Sequence, residues 1–294
     1  MTFHEYQEKA KSTIQTYDVD KTTEVVIPFL GIIGEAGSVV SELKKKLRDG
    51  ESYNNFQNKL EEELGDVLWY VSAIASQNNL VLEEIAKSNV KKINDRFSEI
   101  EDVEPFDFDK DFPENERLPE EFEVEFISYE EGEKKYLKIK NRKTGEVLGD
   151  PLTDNNYDDD GYRFHDIFHF GYLAYLGWSP VLRKLLKLKR KSDPEIDENE
   201  DGARAQITEE LISLLIYRES QNHQLLKYSK SINTSLLALV QDLVKQLEVK
   251  ICTARQWEVA ILNSFKIFNE LIENEGGRVL VSKKNKRLTY LGKL

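Results

Sequence analysis

Two short acidic patterns on consecutive amphipathic stretches constrain this chain more than any other feature: Glu35-x-x-Ser38-x-x-x-Glu42 and Glu63-x-x-Asp66. In the first stretch, GIIGEAGSVVSELKKKLRDG, Ile32, Ala36, Val39, Leu43 and Leu47 recur at steps of three and four, which predicts a helix with a core-facing stripe. In the second, LEEELGDVLWYVSAIA, the stripe is Leu60, Leu64, Val67, Val71 and Ile74. At about 100° per residue, Glu35 lies roughly a quarter-turn to one side of its stripe, and Glu63 and Asp66 lie at the same offset from theirs. Antiparallel packing through the apolar faces would bring the carboxylates to one edge of the seam. Clustered carboxylates repel one another unless a hard cation joins them, so the pattern predicts a site for Mg²⁺. Gly37 and Gly65 stand beside the acids and are expected to thin the helix surface there. One such pair would read as a solvated helix flank; two pairs at matched offsets favour the metal.

GEAGSVVSELKK followed by EELGDVLWY resembles the MazG-like nucleoside triphosphate pyrophosphohydrolases, whose pattern is E-x-x-E on one helix and E-x-x-D on the next. The resemblance covers about residues 1–100. It continues into SNVKKINDRF, which matches the family's N-x-x-K-x-x-x-R at Asn89, Lys92 and Arg96, three positions on one helical face suited to gripping a triphosphate. The resemblance implies a mainly α (α+β overall) protein with an N-terminal four-helix domain. It implies Glu35, Glu63 and Asp66 as catalytic residues, Asn89, Lys92 and Arg96 as substrate-binding residues, and Mg²⁺, with Mn²⁺ as the alternative, as cofactor. The implied reaction converts a (d)NTP to a (d)NMP and pyrophosphate by attack of an activated water at the α-phosphorus. A homodimer or higher homo-oligomer, with the nucleotide pocket near the subunit contact, is implied as well. Phe29, Leu30, Leu68, Trp69 and Tyr70, large apolar residues outside a single seam, ask for a further covering surface.

The chain departs from the family at Ser38, where a second glutamate usually stands. Glu42 lies one turn further on, and helical side chains lean back toward the N-terminus, so its carboxylate is expected to overhang the serine and complete a metal set of Glu35, Glu42, Glu63 and Asp66. Loss of that ligand would instead leave a nucleotide-binding regulator or sensor without turnover. A helical dimerisation scaffold is the reading that needs no ligand at all.

With 294 residues the chain has room for two domains, and 39% hydrophobic with 32% charged residues is a soluble globular profile. The net charge of −13 argues against general nucleic-acid binding. Much of it is local: residues 101–125 hold twelve Asp or Glu against Lys110 and Arg117, with three prolines. This predicts an acidic linker over 101–120, between a helical domain at 1–100 and a second domain at 121–294. The single cysteine, Cys252, forbids an internal disulfide and fits a reducing cytosol. A cytoplasmic protein without signal peptide or membrane span is expected, since the longest apolar run, 25–33, covers nine residues and contains Pro28.

The first domain reads as helices over about 3–15, 28–47, 53–77 and 81–97, with Pro28 in a first helical turn. After the linker, alternation over 121–129 and 136–141 and a short segment at 146–148 predict a small β-meander. Helices resume near 162, 180–191, 203–228, 233–249 and 254–273. The C-terminal RVLVSKKNKRLTYL looks like a hairpin able to join the earlier strands. This half also resembles the C-terminal extension of a subset of MazG-like proteins, a likeness that transfers no chemistry. Within it, HDIFH places His165 and His169 on one face beside Asp166, the spacing of a two-histidine metal clamp that Glu209 or Glu210 could complete. Satisfied core histidines explain the pattern equally. The run 183–191, with six Lys or Arg in nine positions, reads as a solvated face or a phosphate patch.

Overall fold

Thr2 opens the first helix, α1 (Phe3–Lys11), with a reciprocal cap: its hydroxyl accepts from the Glu5 N–H and the Glu5 carboxylate accepts from the Thr2 N–H. The computed structural model describes residues 1–15, 20–97 and 106–294, in two units, Met1–Asn94 and Asp95–Leu294. The first unit continues with α2 (Lys21–Asp49), α3 (Phe56–Gln77) and α4 (Leu82–Phe97), the last running across the boundary between the units.

The Asp20 carboxylate caps α2 by accepting from the N–H groups of Thr22 and Thr23. The helix therefore begins well before Pro28, which sits inside it rather than in its first turn. A proline there leaves the carbonyl four residues back without its helical donor. Gln77 at the end of α3 supplies one: its Nε2 lies 3.4 Å from the Glu24 carbonyl oxygen.

Of the apolar stripe expected to meet α3, only Ile32 and Val39 lie on the covered side. On α2, Pro28 and Glu42 are buried, and Ile27, Gly31, Ile32, Glu35, Ser38 and Val39 are half-buried; these residues form the covered side. Ala36, Leu43 and Leu47 of the expected stripe are exposed. With Val26, Phe29, Ile33 and Val40, also exposed, they make an a/d pattern over three heptads on the outward side. The reason lies at Gly31, where a side chain would run into the Tyr70 ring of α3. Close approach there turns the glycine and acid face of α2 inward. Gly37 and Gly65, expected to thin the surface, have open space around them instead. Trp69 is half-buried, its ring edge-on to Tyr70 at 5.0 Å and its Nε1 donating to Thr13 Oγ1 at 2.8 Å.

By length and composition alone, Thr22–Ser52 could cross a bilayer, which the nine-residue apolar run does not suggest. Interspersed Gly, Ala and Ser keep polarity low without lengthening that run. Glu35 and Glu42 interrupt the segment midway, and ionisable groups at bilayer depth are costly.

The described residues of the second unit form one antiparallel five-stranded sheet and six α-helices. The strands are β1 (Glu121–Glu131), β2 (Lys134–Asn141), β3 (Val147–Leu152), β4 (Gly276–Ser282) and β5 (Arg287–Gly292), in the order β3-β2-β1-β4-β5. The C-terminal hairpin thus joins the meander, with β4 against β1 and Phe126 opposite Gly277. The helices are α5 (Asp166–Leu176), α6 (Pro180–Leu185), α7 (Pro194–Asn199), α8 (Ala203–Gln221), α9 (Thr234–Leu243) and α10 (Ala254–Asn274). Helix α5 is buried on nearly every side: Phe170 meets Phe122 and Phe126 of β1, while Phe168 stacks on Phe265 of α10 at 4.6 Å. Gly171 permits that crossing, since a methyl group there would collide with Ser264.

Of the expected linker, 101–105 lie outside the described residues, and 106–120 belong to the second unit. There Asp109 and Leu118 are buried, and the Asp109 carboxylate accepts from the Leu118 N–H at 2.8 Å and from the Arg183 guanidinium. The basic run 183–191 is neither a solvated face nor a phosphate patch at its two arginines. Arg183 and Arg190 are each 1% exposed; Arg183 pairs with Asp109 and Asp201, and Arg190 with Asp201 and Glu248. Acidic residues that looked like linker and loop are the counter-charges of buried arginines.

The contrast between Gly31 and Gly37 is directly testable. Gly31→Ala should cost about 1–3 kcal/mol through overpacking against Tyr70. Gly37→Ala should be neutral or stabilise by up to about 1 kcal/mol through helix propensity. Urea denaturation of both variants measures the difference, and equal stabilities would show that the α2–α3 approach does not depend on Gly31.

Candidate metal centre on the α2–α3 seam

Helix α3 presents Glu63 and Asp66 one turn apart, and the inward face of α2 presents Glu35. The sequence patterns do converge: one carboxylate oxygen from each of Glu35, Glu63 and Asp66 lies within 4.8 Å of the other two. Glu35 and Glu63 are half-buried and Asp66 is exposed, so the cluster is rooted in the seam and open at one side. On α1, burial and the negative field of Asp66 together raise the pKa of the Tyr6 phenol. Three carboxylates without imidazole or thiol form an all-oxygen donor set, which suits a hard divalent cation such as Mg²⁺ or Mn²⁺. The residues present therefore fit the metal that the acidic patterns imply.

Glu42 is not among the carboxylates that meet within 4.8 Å. It is 4% exposed and engaged elsewhere, accepting from the Lys45 ammonium and from the Tyr53 hydroxyl. These two hydrogen bonds hold its carboxyl below the usual carboxylate range, and the bond to Glu42, with burial, pushes the Tyr53 phenol up to about 12. Ser38 is half-buried on the same face of α2, between Glu35 and Glu42. Lys45 and Tyr53 are the residues that the sequence reading missed, and no motif in the chain marks either one.

The basic trio is divided. Asn89 and Lys92 are exposed on α4 and line a surface hollow of ≈ 450 Å³ with Leu80, Val81, Ile85 and Ser88. The lining of that hollow does not include Glu35, Glu63 or Asp66. Arg96 belongs to the second unit, where its Nη2 donates to the Ile232 carbonyl at 2.6 Å and pairs with Glu258 at 3.1 Å. The histidine pattern does close up: His165, Asp166 and His169, all buried, each offer a ligand atom within 4.8 Å of the others.

An acid-lined helix pair followed by an α+β unit is the layout these observations define. Residues 27–100 match the MazG nucleotide pyrophosphohydrolase domain, and residues 103–293 match the MazG C-terminal domain. The chain belongs to the MazG family. Gene 37 protein of Mycobacterium phage L5 is 35% identical to it over 81 residues, which span 27% of this chain and 71% of that protein. No solved structure matches the chain.

Two roles for Glu42 separate by measurement. Held by Lys45 and Tyr53, it ties the end of α2 to the turn that follows, so Glu42→Gln should lower the melting temperature and leave unchanged whatever dependence on Mg²⁺ the wild-type protein shows. A rise of about tenfold or more in the Mg²⁺ concentration needed for half-maximal activity would identify Glu42 as a metal ligand instead.

Proposed function

We propose that the first unit hydrolyses nucleoside triphosphates to the monophosphate and pyrophosphate, with Mg²⁺ or Mn²⁺ held by Glu35, Glu63 and Asp66. The observation that carries this reading is the meeting of those three carboxylates on the seam of a MazG nucleotide pyrophosphohydrolase domain. When bound, the cation offsets the repulsion between the acidic seam and the phosphates and polarises the phosphoryl group. A seam carboxylate orients a water for in-line attack at the α-phosphorus and takes its proton. The bond from the α-phosphorus to the bridging oxygen breaks, and pyrophosphate leaves with that oxygen. The family likeness assigns Lys92, with Asn89 beside it, to the negative charge on the leaving group; the hollow they line does not include the seam carboxylates, so this role requires the nucleotide to reach from one to the other. Arg96 is left out of this assignment because its guanidinium is engaged with Glu258 and Ile232.

A second reading is favoured by Ser38 and by the engagement of Glu42: nucleotide binding without turnover. Pyrophosphate release from a panel of dNTPs and NTPs, titrated with Mg²⁺, decides between the two. The enzyme reading expects metal-dependent release that falls about 100-fold or more in Glu63→Gln or Asp66→Asn. Full turnover by purified Glu63→Gln would overturn it. Binding without release in the wild-type protein, with release gained in Ser38→Glu, would select the regulator.

We further propose that the outward face of α2 is covered by a second copy of the chain. Support comes from the exposed heptad residues Val26, Phe29, Ile33, Val40, Leu43 and Leu47. Covering what remains exposed of each would stabilise an assembly by about 0.5–2 kcal/mol per residue. Light scattering at micromolar concentration should show a dimer or higher oligomer, and Ile33→Glu with Val40→Glu should shift it toward monomer without loss of helical circular dichroism. A wild-type monomer would count against this assembly.

A further inference from the structure

The second unit holds a polar cluster, at the start of α5, that the pyrophosphohydrolase reading does not use. Its organising residue is Glu209 of α8, which is fully buried. Its Oε1 accepts from Ser179 Oγ–H at 2.6 Å and from His169 Nδ1–H at 2.8 Å, and its Oε2 accepts from the Val181 N–H at 2.8 Å. With its proton committed to Nδ1, a neutral His169 carries the ring's lone pair on Nε2. That atom is fully buried and has no hydrogen-bond partner.

His165 is arranged in the same sense. Its Nδ1 lies 2.8 Å from the Tyr162 carbonyl oxygen, which can only accept, so Nδ1 bears the proton and Nε2 the lone pair. The Tyr162 ring, parallel to the imidazole within 3° and 4.4 Å away, holds the plane of His165. The two Nε2 atoms then face carboxylates: His165 Nε2 lies 3.3 Å from Asp166 Oδ1 and 4.0 Å from Glu210 Oε2, and His169 Nε2 lies 3.5 Å from the same Glu210 oxygen.

With both imidazoles in these tautomers the cluster gathers four acceptor atoms, which either a metal ion or a proton on His169 Nε2 can join. Burial opposes that proton, but Glu209 and Glu210 outweigh it and raise the His169 pKa well above the usual imidazole value. Neutral lone pairs facing carboxylates in a buried place are unfavourable unless a cation joins them. Ligands about 2.0–2.2 Å from one ion at tetrahedral angles stand roughly 3.3–3.6 Å apart. The His165–Asp166 and His169–Glu210 separations of 3.3 and 3.5 Å meet this, His165, Asp166 and His169 each offer an atom within 4.8 Å of the others, and Glu210 would close on His165 from 4.0 Å. Imidazoles whose remote nitrogens are tied to a carboxylate and to a backbone carbonyl are held as metal ligands commonly are. Glu210, with its side chain 47% exposed, leaves one side of the cluster open for an ion to enter.

We propose that His165 Nε2, His169 Nε2 and the carboxylates of Asp166 and Glu210 form a second metal site, for a divalent ion of the Zn²⁺ or Fe²⁺ class. Two imidazoles in the donor set favour such an ion over Mg²⁺, the reverse of the all-oxygen seam in the first unit. Glu209 is a positioning residue: it orients His169 and keeps the lone pair on Nε2, and it is not itself a ligand.

The test uses the full chain carrying Glu35→Gln, Glu63→Gln and Asp66→Asn, so that metal uptake reports on the second unit alone and does not depend on the pyrophosphohydrolase reading. After removal of adventitious metal with a chelator, titration with Zn²⁺ should show about one ion retained per chain, not displaced by excess Mg²⁺. X-ray absorption of the Zn²⁺-loaded protein should show two imidazoles in the coordination shell. Adding Glu209→Gln should weaken Zn²⁺ binding about 10–100-fold. Adding His165→Asn, at the edge of the cluster, should abolish it, with circular dichroism reporting an intact fold. Absence of Zn²⁺ uptake by the seam-deficient protein would overturn the proposal and leave a protonated histidine as the cation of the cluster. An oxygen-only shell would overturn it as well, and neither readout requires a histidine variant to fold.

Discussion

Electrostatic repulsion among Glu35, Glu63 and Asp66 is the constraint around which the first unit is arranged. Three carboxylates within 4.8 Å of one another disfavour the apposition of α2 and α3, yet those helices meet there. What permits it is local and steric: Gly31 lets the Tyr70 ring lie against the backbone of α2. That choice of face has consequences along the whole helix. The glycine and acid side is turned inward, and the branched apolar residues at heptad spacing are turned outward. A long helix with bilayer-like composition thereby presents acids on one side and exposed apolar residues on the other.

The second unit solves a different problem, the placement of many charges inside a core. Arg183 and Arg190 lie almost wholly out of solvent, and each is met by more than one carboxylate. Breaking such a group by removing one partner would strand a buried charge, which costs far more than loss of an exposed pair. Buried ionic groups of this kind fix one arrangement of the segments that carry them. Here they bind the start of the unit, near Asp109, to α6, to the loop before α7 and to the turn at Glu248. Glu209 is likewise buried and fully engaged, with Ser179, His169 and the Val181 N–H, and its bond to His169 turns the other ring nitrogen toward Glu210.

Much of this was legible in the chain itself. Glu35 on one helix and Glu63 with Asp66 on the next, at matched offsets from the apolar periodicity, indicated a convergent acidic site, and the three do converge. Alternating residues and turn signals indicated the strands, including the C-terminal hairpin that joins them. Where the reading failed, it failed for nameable reasons. Helix α2 began early because Asp20 caps it, and the orphaned Glu24 carbonyl found a donor on another helix. The acidic stretch after the first domain looked like a linker because composition cannot show that Asp109 has a buried arginine to meet.

Sequence by itself therefore determined where most helices and strands lie, though not all their bounds nor the short α7, and which acids share a helix face, because those depend on periods of 3.6 and 2 residues and on local caps. The tertiary structure alone decided which face of α2 meets α3, that Glu42 bonds to Lys45 and Tyr53, that Arg96 pairs with Glu258, and that His169 meets Glu209 and Glu210. Each of these is a choice among partners far apart in the chain or among rotations of one helix. Such choices turn on steric fit at single positions such as Gly31 and Gly171, and on the demand that every buried charge find a counter-charge. Neither has a period that a sequence displays.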